Sequence, residues 1–317
     1  MLGGNNLDLS QVPQWVNQNF VRSALAIGAT ADKAELEQQA SKLIKIWCAP
    51  ERFQHGISHL LEMLARFDVL ASETPHADCV RIAAWYHGVV FSTSDQNVYT
   101  RNGGEDEQAS AEFAVEELNR LGVPEEAVNR IKKLITGLKV RGVGECKPST
   151  ESGARHVHAC ETSTLEAVDI DQQALRDAHL GTLAVEPQKY RKYGQRLRQE
   201  YAHVPLRHFI TSRIQIIQKL LSRKKLFVSP LASAWEEVAR QNLISELSRL
   251  EHELQELDSQ ISPSQSVQTM TMEIPAVANE ENPHSSLAAL DAENAQQAKI
   301  INCDTVRPLA MEQEPDY

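Results

Sequence analysis

Several things are scarce in this 317-residue chain, and each absence excludes a class of protein. No run of about 18 apolar residues occurs, the length a bilayer-spanning helix needs, so no membrane span or membrane partner is predicted. The start, Met1-Leu-Gly-Gly-Asn-Asn, lacks the basic and then apolar order of a secretory signal. The five cysteines (Cys48, Cys79, Cys146, Cys160 and Cys303) are odd in number and contain no CxxC pair. That argues for reduced thiols and a cytoplasmic location. Positive charge is also scarce: 32 Lys and Arg stand against 43 Asp and Glu, a net charge of −11. A nucleic-acid polymer is therefore not an expected partner, since its binder would carry a basic footprint. A small phosphorylated compound held by a few local arginines is still allowed. Strand-like alternation is rare, and no repeat of fixed period is found.

What the chain does contain is helical periodicity. Apolar residues recur at helical spacing over Ala34–Trp47, His59–Leu70, Asp78–Val90 and Glu107–Leu121. Pro124 opens a further helix to about Leu138, since proline suits the first turn. Residues 140–164 read as a loop, with Gly, Ser and Thr recurring around one Pro. Periodicity returns over Leu165–Ala184, Pro187–Tyr201, His208–Leu221 and Ala234–Leu257. The helix over Asp78–Val90 is apolar on most sides and should be buried. In the last one, Leu243, Leu247, Leu250, Leu254 and Leu257 form a heptad-like seam, which serves either packing against the core or a homodimer. The expected organisation is a flexible N-terminus over 1–11, an all-α domain over 12–260 and a disordered acidic tail over 261–317. The tail holds nine acidic and two basic residues, so its net charge of −7 is most of the total.

The residues that suggest chemistry are histidines. His55 and His59 are four apart, which places them on one helix face where two imidazoles can converge on a metal. The spacing alone is weak evidence, because such pairs also arise by chance on surfaces. His87 ends an apolar helix, so it is expected to be buried and to need a hydrogen-bond partner or a metal. Taken alone, a hydrogen-bonded core histidine is the commoner arrangement. In the loop, Cys146, His156, His158 and Cys160 have the types that suit zinc. Their spacing matches no standard finger, and incidental loop residues are the expected reading.

Five short segments, in order, resemble the metal-dependent phosphohydrolases of the HD superfamily. They are Arg52-x-x-His55-x-x-x-His59, Trp85-Tyr-His87, Glu107-x-x-Ser110-Ala111, Asp177-Ala-His179-Leu180, and Tyr190-x-x-Tyr193 followed by Arg198-Gln-Glu200-Tyr201. The resemblance covers about residues 12–257. It implies an HD-domain-like helical bundle holding a divalent metal (Mn, Mg, Fe or Zn), which activates water against a small phosphorylated substrate, a nucleotide among the candidates. It also implies roles. His59, His87 and Asp177 would bind metal, with His55 lining the pocket and the choice of inner ligand between His55 and His59 open. Glu107 would orient water or act as a base. Arg52 and Arg198 would hold phosphate.

The departures from the family pattern bear on activity. Gly88 stands where family members carry a ligand aspartate, so the motif reads His-Gly instead of His-Asp. His179 stands where a second aspartate would be and is a candidate replacement ligand. Leu138 and Arg141 fall where a Thr and a His are frequent. If Gly88 is a vacated ligand position, Gly88→Asp should raise affinity for divalent metal. Two functions follow: a phosphohydrolase, or a pseudoenzyme that keeps the fold and pocket and binds a phosphorylated ligand or partner as a regulatory protein.

Overall fold

The computed structural model describes residues 12–94, 104–138 and 168–261. Ten α-helices form there, and no β-strand is present among the described residues. In chain order they are α1 (Trp15–Ala26), α2 (Lys33–Trp47), α3 (Ile57–Leu70), α4 (Ala77–Tyr86), α5 (Glu107–Arg120), α6 (Glu125–Thr136), α7 (Ile170–Leu180), α8 (Pro187–Glu200), α9 (Leu206–Leu221) and α10 (Trp235–Ile261). The fold is all-α, as the periodicity implies. The N-terminal segment 1–11, the Cys146–Cys160 group, Arg141 and the acidic tail lie outside the described residues. Contacts group the chain into one unit over Met1–Pro263 and another over Ser264–Tyr317, which is also outside them.

Local chemistry sets the helix ends. Asp32 caps α2 by accepting the Glu35 N–H at 2.8 Å, and the Glu35 side chain accepts the Asp32 N–H in return at 3.2 Å. This reciprocal pair satisfies two donors that a helix start otherwise leaves open. Pro187 opens α8 at a position where its missing N–H costs nothing. Helix α4 stops at Tyr86, four residues short of the end that its apolar run suggests. There the chain turns through His87 and Gly88 beneath Trp47.

Helix α4 is the centre of the bundle. Cys79, Val80, Ile82, Ala83, Ala84, Trp85 and Tyr86 are all buried, and α4 packs on α1, α3, α5, α6 and α7. Its large aromatics keep their polar tips paired. The Trp85 indole donates to Asn19 at 3.2 Å, and Tyr86 Oη accepts from Gln39 at 3.0 Å. The Trp47 indole donates to the Trp85 carbonyl at 3.0 Å, which anchors the end of α2 on the end of α4. The leucine seam of α10 packs on this chain's own core: Leu243 and Leu250 are buried, and Leu247, Leu254 and Leu257 lie partly buried against it. No helix of the described residues is long and apolar enough to cross a membrane.

Candidate metal centre

Four side chains from four separate segments meet inside the bundle. His59 comes from the first turn of α3 and His87 from the residue that ends α4. Glu105 precedes α5, and His179 lies in the last turn of α7. One donor atom from each lies within 4.8 Å of the other three. The three imidazole rings pack face and edge against one another, with centroids 5.2–5.6 Å apart. His59, His87 and Glu105 are buried. His179 is the most exposed member, its side chain 27% exposed, although its Nε2 is buried with the others.

Five polar atoms of this group lack partners. Both ring nitrogens of His59, Nε2 of His87, Oε1 of Glu105 and Nε2 of His179 are buried without a hydrogen bond. The contacts to Glu105 are too long for hydrogen bonds: His87 Nε2 is 3.7 Å from Oε1, and His179 Nε2 is 3.6 Å from Oε2. A cluster of this kind is costly unless something fills it, since an unmet buried polar group costs about 1–3 kcal/mol. A divalent cation fits the donor chemistry. Metal–ligand bonds of about 2.1 Å put tetrahedral donors about 3.4 Å apart, so a group whose donors lie within 4.8 Å of one another would draw together on binding. His87 is set for the role. Its Nδ1 donates to the Ala84 carbonyl at 2.7 Å, which leaves the lone pair on Nε2 facing the cluster.

Electrostatics agree with neutral rings at His59 and His87 beside one carboxylate. Burial pushes His87 down to about 4, with His179 adding to the effect. Burial and the neighbouring His179, His87 and His55 push His59 well below its ordinary value. Burial works against the ionised Glu105, but His179, His55 and His87 outweigh it and hold the carboxyl well below the usual range.

Glu105 owes its place to a short pairing of two segments. Phe91 and Glu105 form an isolated antiparallel bridge, with Ser92 N–H donating to Gly104 O at 2.8 Å and Asp106 N–H to Val90 O at 3.1 Å. Gly104 has a φ of +87°, which an L side chain rarely adopts. A Cβ there would also sit 2.8 Å from the Phe91 ring and 2.9 Å from the Tyr201 hydroxyl.

The residues singled out by sequence fall in different places. His59 and His87 are in the cluster, and His179 joins them. Asp177 is not among the four. Its carboxylate accepts the N–H groups of Val228 and Ser229 at 2.9 and 2.6 Å, and burial raises its pKa despite these bonds. Glu107 begins α5, two residues beyond the glutamate that faces the histidines. His55 lies beside the cluster, 5.7 Å from the His59 ring, and its Nδ1 is 2.7 Å from Glu200 Oε2. Burial opposes the charged ring, but Glu200 outweighs it and raises the pKa of His55. The Arg52 terminal nitrogens donate to the carbonyls of His55, Gly88 and Val89 at 3.2, 2.7 and 3.0 Å. Arg198 donates to the Tyr201 carbonyl and stacks on Phe209. Both guanidinium groups thus hold backbone. Gly88 is not an open ligand position either. A Cβ there would lie 2.8 Å from Trp47 Cη2 and 3.1 Å from Glu105 Oε1, so the space for a side chain is already filled.

Sequence reasoning missed Glu105. Nothing in its periodicity marks it, because it lies in a bridge and not on a helix. The only cue was the acidic stretch Glu105-Asp106-Glu107 at a helix start. No family model, no curated protein and no solved structure matches this chain.

Proposed function

We propose that this chain is a divalent-metal phosphohydrolase of HD type, acting on a small phosphorylated compound such as a nucleotide. The observation that carries the metal is the convergence of His59, His87, Glu105 and His179 with their donor atoms unpaired. The phosphoryl part of the reading is supported by the ordered sequence motifs alone. Bound there, a divalent metal supplies a Lewis acid and lowers the pKa of a water it holds. The protein supplies the rest. Ala84 fixes the His87 tautomer, and Trp47 lies over both His87 and His59, with ring centroids 5.2 and 6.4 Å away, which limits water. Glu200 holds the proton on His55 Nδ1, leaving Nε2 as the ring atom free to exchange one with substrate.

The pseudoenzyme is the second reading, and two observations favour it. Four protein donors would close a tetrahedral ion such as zinc, leaving no position for water. The arginines that could clamp phosphate are committed to carbonyls. A five- or six-coordinate ion leaves room for chemistry, so the metal decides between the readings. The test is elemental analysis of protein purified without chelator, followed by a phosphate-ester panel with and without EDTA. The enzyme reading expects about one metal per chain, turnover that EDTA abolishes, and loss of both in His87→Ala. Turnover that survives EDTA and His87→Ala would refute it. Tight metal with no turnover on any ester would favour the pseudoenzyme.

A further inference from the structure

We infer that Glu105 is the carboxylate ligand of this centre, and that Gly88 is the residue that admits it. The inference rests on the metal reading above and assigns the ligand set within it. Four observations meet here. Glu105 is the only carboxylate among the four converging side chains. Its Oε1 is buried and has no hydrogen bond. The backbone bridge to Phe91 holds its residue inward. A Cβ at position 88 would press on that same Oε1 at 3.1 Å and on the Trp47 ring at 2.8 Å. The carboxylate space beside His87 is therefore occupied from a different segment. The backbone at 88 is pinned as well, because Arg52 donates to its carbonyl at 2.7 Å, so the chain cannot shift aside to accept a side chain.

The ligand set fixes the class of metal. Three imidazoles and one carboxylate form a nitrogen-rich site, suited to Zn²⁺ or Fe²⁺. Mg²⁺ and Ca²⁺ prefer oxygen and would bind poorly. The sequence motif thus has a glycine where an aspartate is expected, and the structure returns the anionic donor from residue 105.

The test is calorimetric titration of the full chain with Zn²⁺ after removal of metal, with Mg²⁺ as a second titrant. Wild type should take up one Zn²⁺ and bind Mg²⁺ at least about 100-fold more weakly. Glu105→Gln keeps the shape of the side chain, so the fold should survive. It should weaken Zn²⁺ at least about 100-fold, while Glu107→Gln should change it less than about threefold. Gly88→Ala should weaken Zn²⁺ about tenfold, because the added methyl displaces the carboxylate. Should that variant fold poorly against Trp47, Trp47→Phe with Gly88→Ala removes the ring contact and keeps the one to Glu105. The double variant should still bind more weakly than Trp47→Phe alone. No Zn²⁺ uptake by wild type would defeat the metal reading and this assignment together. Uptake by wild type that is unchanged in Glu105→Gln, or strengthened in Gly88→Asp, would overturn the assignment alone.

Discussion

Burial without charge is the condition of His59 and His87, and it makes the metal-free protein sensitive to acid. An unfolded imidazole titrates near 6.5, whereas in the fold His87 titrates at about 4 and His59 well below its ordinary value. Between those values the unfolded chain binds more protons, so stability rises with pH there and falls as pH drops. His55 is raised, so its own stabilising effect is complete below 6.5 and changes only at higher pH. Glu105 is lowered, so its contribution is complete above the unfolded carboxyl value of about 4.3 and is lost from the foot of that window downward. The thermal midpoint of EDTA-treated protein should therefore fall as pH goes from about 6.5 to about 4, and His87→Gln should flatten the slope. A midpoint that does not move over this range would show that the histidines are not neutral in the fold. Arg52 is the second point at this scale. It is a buried cation lying between Trp47 and Phe91, at 5.2 and 5.0 Å, and it donates to three carbonyls. Arg52→Ala should cost about 3 kcal/mol in urea unfolding, and Arg52→Lys should recover little, since an ammonium lacks the fork. A loss under about 1 kcal/mol would return the guanidinium to the role of phosphate ligand.

At the scale of elements, the sequence was most readable where apolar spacing is regular. Eight helices follow from such stripes and a ninth from Pro124, and α2 and α3 differ from their expected starts by one and two residues. The N-terminal helix α1 was not singled out by the stripes. The centre was readable in part for a geometric reason. Residues two apart on a helix point to opposite sides, so Asp177 and His179 cannot both face His59. The family pattern drew attention to the aspartate, but the turn of α7 gives the site to the histidine. Asp177 does a different task, tying the segment before residues Pro230–Ala232 to α7 through two backbone N–H groups. Asp177→Ala should therefore cost about 2 kcal/mol in unfolding while the metal content per chain stays unchanged. Loss of metal from that variant at native fold would restore Asp177 to the ligand set. Glu105 was hidden for another reason. A two-segment bridge leaves no periodic trace, and its pairing with Phe91 exists only after the chain has folded.

For the whole molecule, the centre joins parts of the chain that no helix connects. Its donors come from α3, the end of α4, the segment before α5, and α7, which are brought together by the packing of α3 and α7 on α4. Without metal, that junction is a set of buried polar atoms with unmet hydrogen bonds and works against the core around it. With metal, it becomes a cross-link that only the folded chain can make, because the four donors converge nowhere else. Binding should then appear as stability by mass action. Free Zn²⁺ at about 100 times its Kd adds about 2.7 kcal/mol. For a chain of this size that is a rise of about 5–10 °C in Tm. Scanning calorimetry of wild type with EDTA and with Zn²⁺ measures the difference, and His87→Ala, with one donor gone, should lose most of it. A wild-type midpoint unmoved by Zn²⁺ would mean that the four donors converge without serving a metal. An equal rise in His87→Ala would place the stabilising ion elsewhere in the chain.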